Sequence, residues 1–409
     1  MSRTAIEFYT LTLPNGIRCI HRRVKSAAVH CALTIGSGSR DELTAEYGVA
    51  HLAEHCLFKG TSRRRAYHIN CRLENLGGEL NAFTTKEETV IHATTLKGDF
   101  SKAVELIGDI VFNSRFPQAE VAREKEVVLE EIASFRETPS EQIFDDFEEL
   151  IFAGSPLAHN ILGTKSSVRR LSRESIAGFI SRTYNTDRMV FSSVGNIPKE
   201  QFRRVAERYF GGVGASPRTF QRTKPTAVAP FSETRRKGAG QAHCVMGTPA
   251  CDLYDPRRLS LSLLVNTLGG PAANSILNLA LRERNALTYA VEAGYTPFCD
   301  TGLATIYFAT EKNNLERCIE LVNKELDAIR TRGLTPRQLS MAKRQFAGQL
   351  ALSLESNENY NLSMGKSVLA YGVVDALPQI VERVRRITAE ELTDVAREVF
   401  DNMSMLIFK

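Results

Sequence analysis

His51-Leu52-Ala53-Glu54-His55 is the stretch on which the reading of this chain turns. It lies in the run Tyr47 to Leu57, which has helical spacing and no proline, so a helix is expected there. Residues four apart on a helix stand on one face, which lets the His51 and His55 rings share one ion. Neutral imidazole suits a zinc ion. Glu54 lies one turn after His51 and can reach a water held by that ion. The bland alternative is a pair of ordinary satisfied histidines. With 8 His in 409 residues, a chance match to the pattern arises roughly once in a hundred such chains.

A catalytic zinc site ordinarily has three protein ligands and one position open to water. The amphipathic helix expected over 119–136 offers Glu124, Glu126, Glu130 and Glu131. Helical phase separates them. Glu131 shares a face with Glu124, Val127 and Val128, and this apolar face is expected to point inward. Glu130 falls with Glu126 and Arg123 on the outward side. An inward carboxylate without a partner is costly, so metal ligation accounts for Glu131. Glu124, further along the same stripe, would hydrogen-bond a ligand histidine. Taken singly, each glutamate reads as an exposed helix carboxylate.

The rest of the chain mixes strands and helices. Phe8 to Leu13, Pro14-Asn15-Gly16 and Ile17 to Ile20 read as strand, turn and strand. Strands are expected over 29–35, 79–84, 88–95 and 189–194, and helices over 67–76, 100–112 and 172–184. Residues 211–240 change character, with Gly211-Gly212-Val213-Gly214, three prolines and several basic residues, which reads as a linker. Beyond it the pattern begins again. Strands are expected near 242–247, 288–297, 302–310 and 404–408, and helices near 256–268, 272–284, 313–332, 335–356 and 378–398. The fold class is therefore α+β. Two similar domains are expected, each a mainly antiparallel sheet flanked by helices, over 1–212 and 241–409 with a linker at 213–240.

Composition excludes several classes. Hydrophobic residues make up 43% and charged residues 24%, which suits a soluble globular chain with substantial cores. The net charge of +5 is spread along the chain, and the basic runs Arg63-Arg64-Arg65 and Arg235-Arg236-Lys237 have no interleaved aromatics, so nucleic acid is not the expected partner. No apolar stretch is long enough to cross a bilayer, and the start shows no secretory signal. The eight cysteines form no Cys-x-x-Cys pair. They read as reduced thiols of a cytoplasmic protein.

With these residues in view, the chain resembles the pitrilysin-type zinc peptidases, the group that includes insulin-degrading enzyme and the mitochondrial processing peptidase. Its His-x-x-Glu-His order is the inverse of the commoner zinc-peptidase order, the inverzincin arrangement. Glu124-Lys125-Glu126-Val127-Val128-Leu129-Glu130-Glu131-Ile132 matches the family's glutamate segment, with Glu131 76 residues after His55. The resemblance implies His51, His55 and Glu131 as ligands of one zinc per chain, Glu54 as general base, and Glu124 as partner of a ligand histidine. Leu76 to Thr84 looks like the family's edge strand, where substrate adds through backbone hydrogen bonds. That implies substrate contacts at Glu79, Asn81, Ala82 and Phe83. Leu281 to Tyr289 resembles the family's Arg-x₆-Tyr pair, which implies that Arg282 and Tyr289 hold the substrate backbone and stabilise the developing oxyanion. Ile276 stands where relatives commonly have arginine, Asn285-Ala286-Leu287 replaces the frequent Gly-Leu, and Thr288 also differs.

The function expected is endopeptidase hydrolysis of unfolded peptides inside a closed chamber. The family's chamber is built from four such domains, so half a clamshell implies a homodimer or a heterodimer with a related subunit. The competing readings are a non-catalytic scaffold subunit, which would have lost metal residues, and a peptide-binding module that uses the edge strand without cleavage.

Overall fold

A computed structural model describes residues 8–238 and 240–409. In chain order the elements are β1 (Phe8–Thr12), β2 (Arg18–Arg23), β3 (Ala28–Ile35), α1 (Val49–Leu57), α2 (Ala66–Glu74), β4 (Glu79–Thr84), β5 (Thr89–Leu96), α3 (Phe100–Phe112), α4 (Gln118–Arg136), α5 (Pro139–Ile151), α6 (Lys165–Arg170), α7 (Arg173–Thr183), β6 (Met189–Gly195) and α8 (Lys199–Phe210). The second series is β7 (Ser232–Arg235), β8 (Ala242–Ala250), α9 (Arg258–Gly269), β9 (Thr288–Pro297), β10 (Gly302–Thr310), α10 (Leu315–Arg332), α11 (Pro336–Ser353), α12 (Asn357–Tyr371), α13 (Leu377–Arg386), α14 (Ala389–Val399) and β11 (Ser404–Phe408).

These elements pack into two units, each around one sheet. The first sheet has the order β1-β2-β6-β3-β5-β4, the second β7-β11-β8-β10-β9. The strand pair β2–β6 is parallel, and β6–β3, β3–β5 and β5–β4 are antiparallel. The second sheet repeats this: β7–β11 is parallel, and β11–β8, β8–β10 and β10–β9 are antiparallel. Five strands in one order with one pattern of directions occur twice, and the similarity expected of the two halves is in the backbone. Only β1, which forms a hairpin with β2, is extra to the first sheet, and Gly16 takes φ 96° in its turn, a backbone region open to glycine without strain.

The units are not contiguous in sequence. Segments up to Ile132, His159–Arg222 and Leu352–Ala376 form the first, and Ala133–Ala158, Thr223–Ala351 and Leu377–Lys409 the second. The reason is an exchange of two helices. On one face of the first sheet Leu33, Ile91 and Phe191 pack with Leu52 of α1 and Phe100 and Ile107 of α3. Its other face, with Ile20, Val190 and Val194, is covered by Tyr360, Met364, Val368 and Leu369 of α12. Reciprocally, Ile143, Phe147 and Ile151 of α5 cover Val245, Tyr307, Leu406 and Phe408 of the second sheet. The stripe 143, 147, 151 is a helical apolar face, and Pro139 sits at the first helical position, where its missing N–H costs nothing. The division at 212 and 241 follows the chain, whereas packing assigns α5 and α12 across it.

Three further expectations change. The helix expected over 378–398 is two helices, because Ile387 and Thr388 leave the helical path and the Thr388 hydroxyl accepts the Glu391 N–H as the cap of α14. Within 272–284 the long regular stretch is a π-helical turn over Asn278–Glu283. The linker 213–240 contains β7, a four-residue strand held by β11 on one side.

Candidate metal centre

Helix α1 is buried nearly all round, with Val49, Ala50, Leu52, Ala53, Cys56 and Leu57 in the core and His51 and His55 half-buried. The two rings face each other edge to face with centroids 4.6 Å apart, as the i, i+4 spacing requires. Helix α4 supplies the third group. One Glu131 carboxylate oxygen lies 3.8 Å from His51 Nε2 and the other 3.7 Å from His55 Nε2. The three donors lie within 4.8 Å of one another.

Helical phase correctly separates Glu130, which is exposed, from Glu131. It misplaces Val127, which is 42% exposed. The buried stripe of α4 is Val121, Glu124, Val128 and Ile132. Glu131 stands at its margin with its side chain 41% exposed, and Val127 lies one step further out.

The donor set fits zinc. Ligands about 2.0–2.1 Å from a tetrahedral ion stand about 3.4 Å from one another, so separations of 3.7 and 3.8 Å are close to those needed and too long for hydrogen bonds. Burial pushes the His51 imidazole down to about 4, with His55 adding to the effect, so the ring is neutral at ordinary pH and keeps a lone pair to offer. His55 Nδ1 faces Glu124 Oε2 at 3.1 Å. The carboxylate accepts the Nδ1 proton, which fixes the tautomer that leaves Nε2 free toward Glu131. The other Glu124 oxygen meets Lys59 Nζ at 2.7 Å.

Glu54 is the fourth side chain. It is 9% exposed, and its Oε2 accepts a hydrogen bond of 2.6 Å from the Thr84 hydroxyl. Burial pushes its carboxyl up, while Thr84 and then His55 pull it down and Glu131 raises it. Thr84 is the last residue of β4, the outermost strand of its sheet, so Glu54 sits at the end of a strand whose outer edge has no strand neighbour among the described residues. Along β4, Glu79, Asn81 and Phe83 are exposed, whereas Leu80 and Ala82 pack against the core. Ala82 therefore offers only its backbone to a ligand. Lys59 and Thr84 carry no motif signal: their roles come from contacts across 65 and 30 positions of chain.

Arg282 and Tyr289 belong to the second unit. They line one cavity of about 460 Å³ with Gly269, Gly270 and Asn278, and Tyr289 is 89% exposed. Arg282 is in the π-helical turn, and Tyr289 in the edge strand β9. Between them Ala286 takes φ 51°, the left-handed region where a side chain is strained and glycine is not.

Two family models match the sequence: insulinase (peptidase family M16) over residues 19–165, and the peptidase M16 inactive domain over residues 170–346. The chain is 31% identical over 392 residues to a protein of Bacillus subtilis (strain 168) named uncharacterized zinc protease YmxG, covering 95% of each chain. The chain belongs to peptidase family M16. A protein of Mycobacterium leprae, also named an uncharacterized zinc protease, is 30% identical over 95% of this chain and 88% of its own. The fold is that of solved M16 structures. A peptidase M16 inactive domain from Pseudomonas fluorescens superposes with a TM-score of 0.92 at 20% identity over 98% of both chains. A protease from Helicobacter pylori gives 0.91 at 18% identity over 99% of this chain and all of that one. In this M16 chain His51, His55 and Glu131 all belong to the first unit, and no helix among the described residues is long and apolar enough to cross a membrane.

Proposed function

We propose that this M16 chain is a zinc-dependent endopeptidase that hydrolyses unfolded peptides, with one zinc held by His51, His55 and Glu131. The observation that carries the reading is the placement of Glu54: a buried carboxylate beside the three donors, tied by Thr84 to the end of the edge strand β4. Zinc in such a site polarises the scissile carbonyl and acidifies a water.

The chain's own groups do the remaining work. The outer edge of β4 binds the peptide as an added antiparallel strand, with backbone groups giving affinity and the exposed Glu79, Asn81 and Phe83 meeting its side chains. That register leads the peptide toward Glu54. Glu54 takes the proton from the attacking water and returns it to the leaving amine. The Thr84 hydrogen bond holds the carboxylate in place for both transfers. Glu124 holds His55 in the ligating tautomer. Arg282 and Tyr289, exposed in their cavity, are the proposed donors to the substrate backbone and oxyanion. Assembly with a second related subunit is part of the same proposal, because the family resemblance implies a chamber of four such units.

The test is mass spectrometry of a mixed peptide pool incubated with the protein, with and without a chelator. The expected result is internal cleavage that disappears with chelator and returns with added zinc. An uncleaved pool, or cleavage indifferent to chelator, contradicts the proposal.

A further inference from the structure

Helix α1 starts without a side-chain cap. Its N-cap is Gly48 at φ 92°, and a glycine offers no oxygen to the orphan N–H groups of the first turn. The residue is forced by packing, because a Cβ on Gly48 would come within 2.6 Å of the Leu162 carbonyl oxygen. The missing acceptor comes from elsewhere. Glu42 Oε2 accepts the Gly48 N–H at 2.9 Å and Oε1 accepts the Ala50 N–H at 2.8 Å. The Glu42 side chain has no exposure at all.

A third donor completes the carboxylate. His159 Nε2 lies 2.9 Å from Glu42 Oε2. Burial pushes the Glu42 carboxyl up, while His159 and the Ala50 and Gly48 N–H groups pull it down; with the two N–H groups donating to the carboxylate, a proton on His159 Nε2 gives it a third donor. The His159 ring is itself fixed. It stacks on Tyr47 at 3.8 Å and 5°, and its carbonyl accepts a hydrogen bond of 2.6 Å from Lys86 Nζ. His159 is also the residue at which the chain re-enters the first unit after the excursion through α5. The following turn is locked backbone to backbone: a Cβ on Gly163 would come within 2.5 Å of the Tyr47 carbonyl oxygen.

Ala50, whose N–H Glu42 holds, directly precedes His51. The first turn of α1 therefore sets where the His51 ring stands relative to His55 and Glu131, and metal affinity is sensitive to such supports. We propose that Glu42 and His159 are positioning residues of the zinc site, acting through the α1 N-terminus to hold His51 in ligating register. The inference rests on the zinc reading of His51, His55 and Glu131. Neither residue belongs to the zinc-binding motif, and they are 117 positions apart.

The test uses the full chain and measures zinc dissociation constants by chelator competition at 25 °C, beside circular dichroism and thermal midpoints. His159→Phe keeps a ring to stack on Tyr47 and removes the donor; His159→Gln keeps an Nε2 donor; Glu42→Gln keeps shape and removes the charge. The expectation is zinc binding about 10- to 100-fold weaker in folded His159→Phe and Glu42→Gln, and close to wild type in His159→Gln. A purely structural role would lower the thermal midpoint and leave the zinc affinity of the folded protein unchanged. Wild-type affinity in folded His159→Phe overturns the positioning role even if Glu42→Gln fails to fold. A wild-type chain that takes no zinc overturns the zinc reading itself, and the positioning role with it.

Discussion

Helices α1 and α9 occupy the same place in the two repeats, between the third and fourth strands counted from β1 in one and between β8 and β9 in the other. Helix α9 solves an ordinary packing problem. Leu261, Leu263, Leu264, Val265 and Leu268 are buried, and the one buried hydroxyl, Ser260, donates to Glu391. Helix α1 buries as much of itself but includes His51, Glu54 and His55, and its His51 Nδ1 is buried with no hydrogen-bond partner among the described residues. Burying such groups costs free energy that packing alone does not return. The scaffold is shared, and the difference is the observation that places the proposed chemistry in the first copy.

Glu54→Gln is expected to lower the hydrolysis rate by about 100- to 10,000-fold with zinc still bound, measured by peptide cleavage beside metal analysis; full activity would remove Glu54 from the mechanism. The exchange of α5 and α12 predicts a large stability effect with no role in the chemistry. Phe147, 1% exposed in the second unit, should cost about 3–5 kcal/mol as alanine, read from denaturant melts, and a loss below about 1 kcal/mol would show that α5 is not an integral layer. Glu124→Gln should weaken zinc binding by about 10- to 100-fold, since His55 Nδ1 loses a charged acceptor. The smallest effect belongs to the second repeat. Ala286→Gly relieves a left-handed alanine and should stabilise the chain by about 0.5–1 kcal/mol; a lowered melting temperature would count against strain at that turn.

The parts legible in the sequence were those with a local period or a fixed spacing. The α1 motif, the separation of Glu131 from Glu130 and the hairpin at Asn15-Gly16 needed only 3.6- or 2-residue repeats and turn chemistry. Val127 was misread because two residues on either side of Glu131 cannot both lie inside a narrow stripe. What periodicity does not carry is the identity of the partner surface. The apolar faces of α5 and α12 announce burial, but nothing local says that each covers the sheet of the other half. Strand β7 was hidden because Ser232-Glu233-Thr234-Arg235 is polar and paired on one side only. Glu42, Lys59, Thr84 and His159 were invisible for the same reason: each is an unremarkable residue type whose role comes from a contact far along the chain.

The central claim is that one repeat holds one zinc. Metal analysis of the purified chain, titrated with zinc after chelation, tests it directly with wild type and Glu131→Gln side by side. The account predicts one tightly bound zinc per wild-type chain and none retained by the variant at the same free zinc. A wild-type chain without stoichiometric zinc, or a variant that binds it equally well, would contradict it.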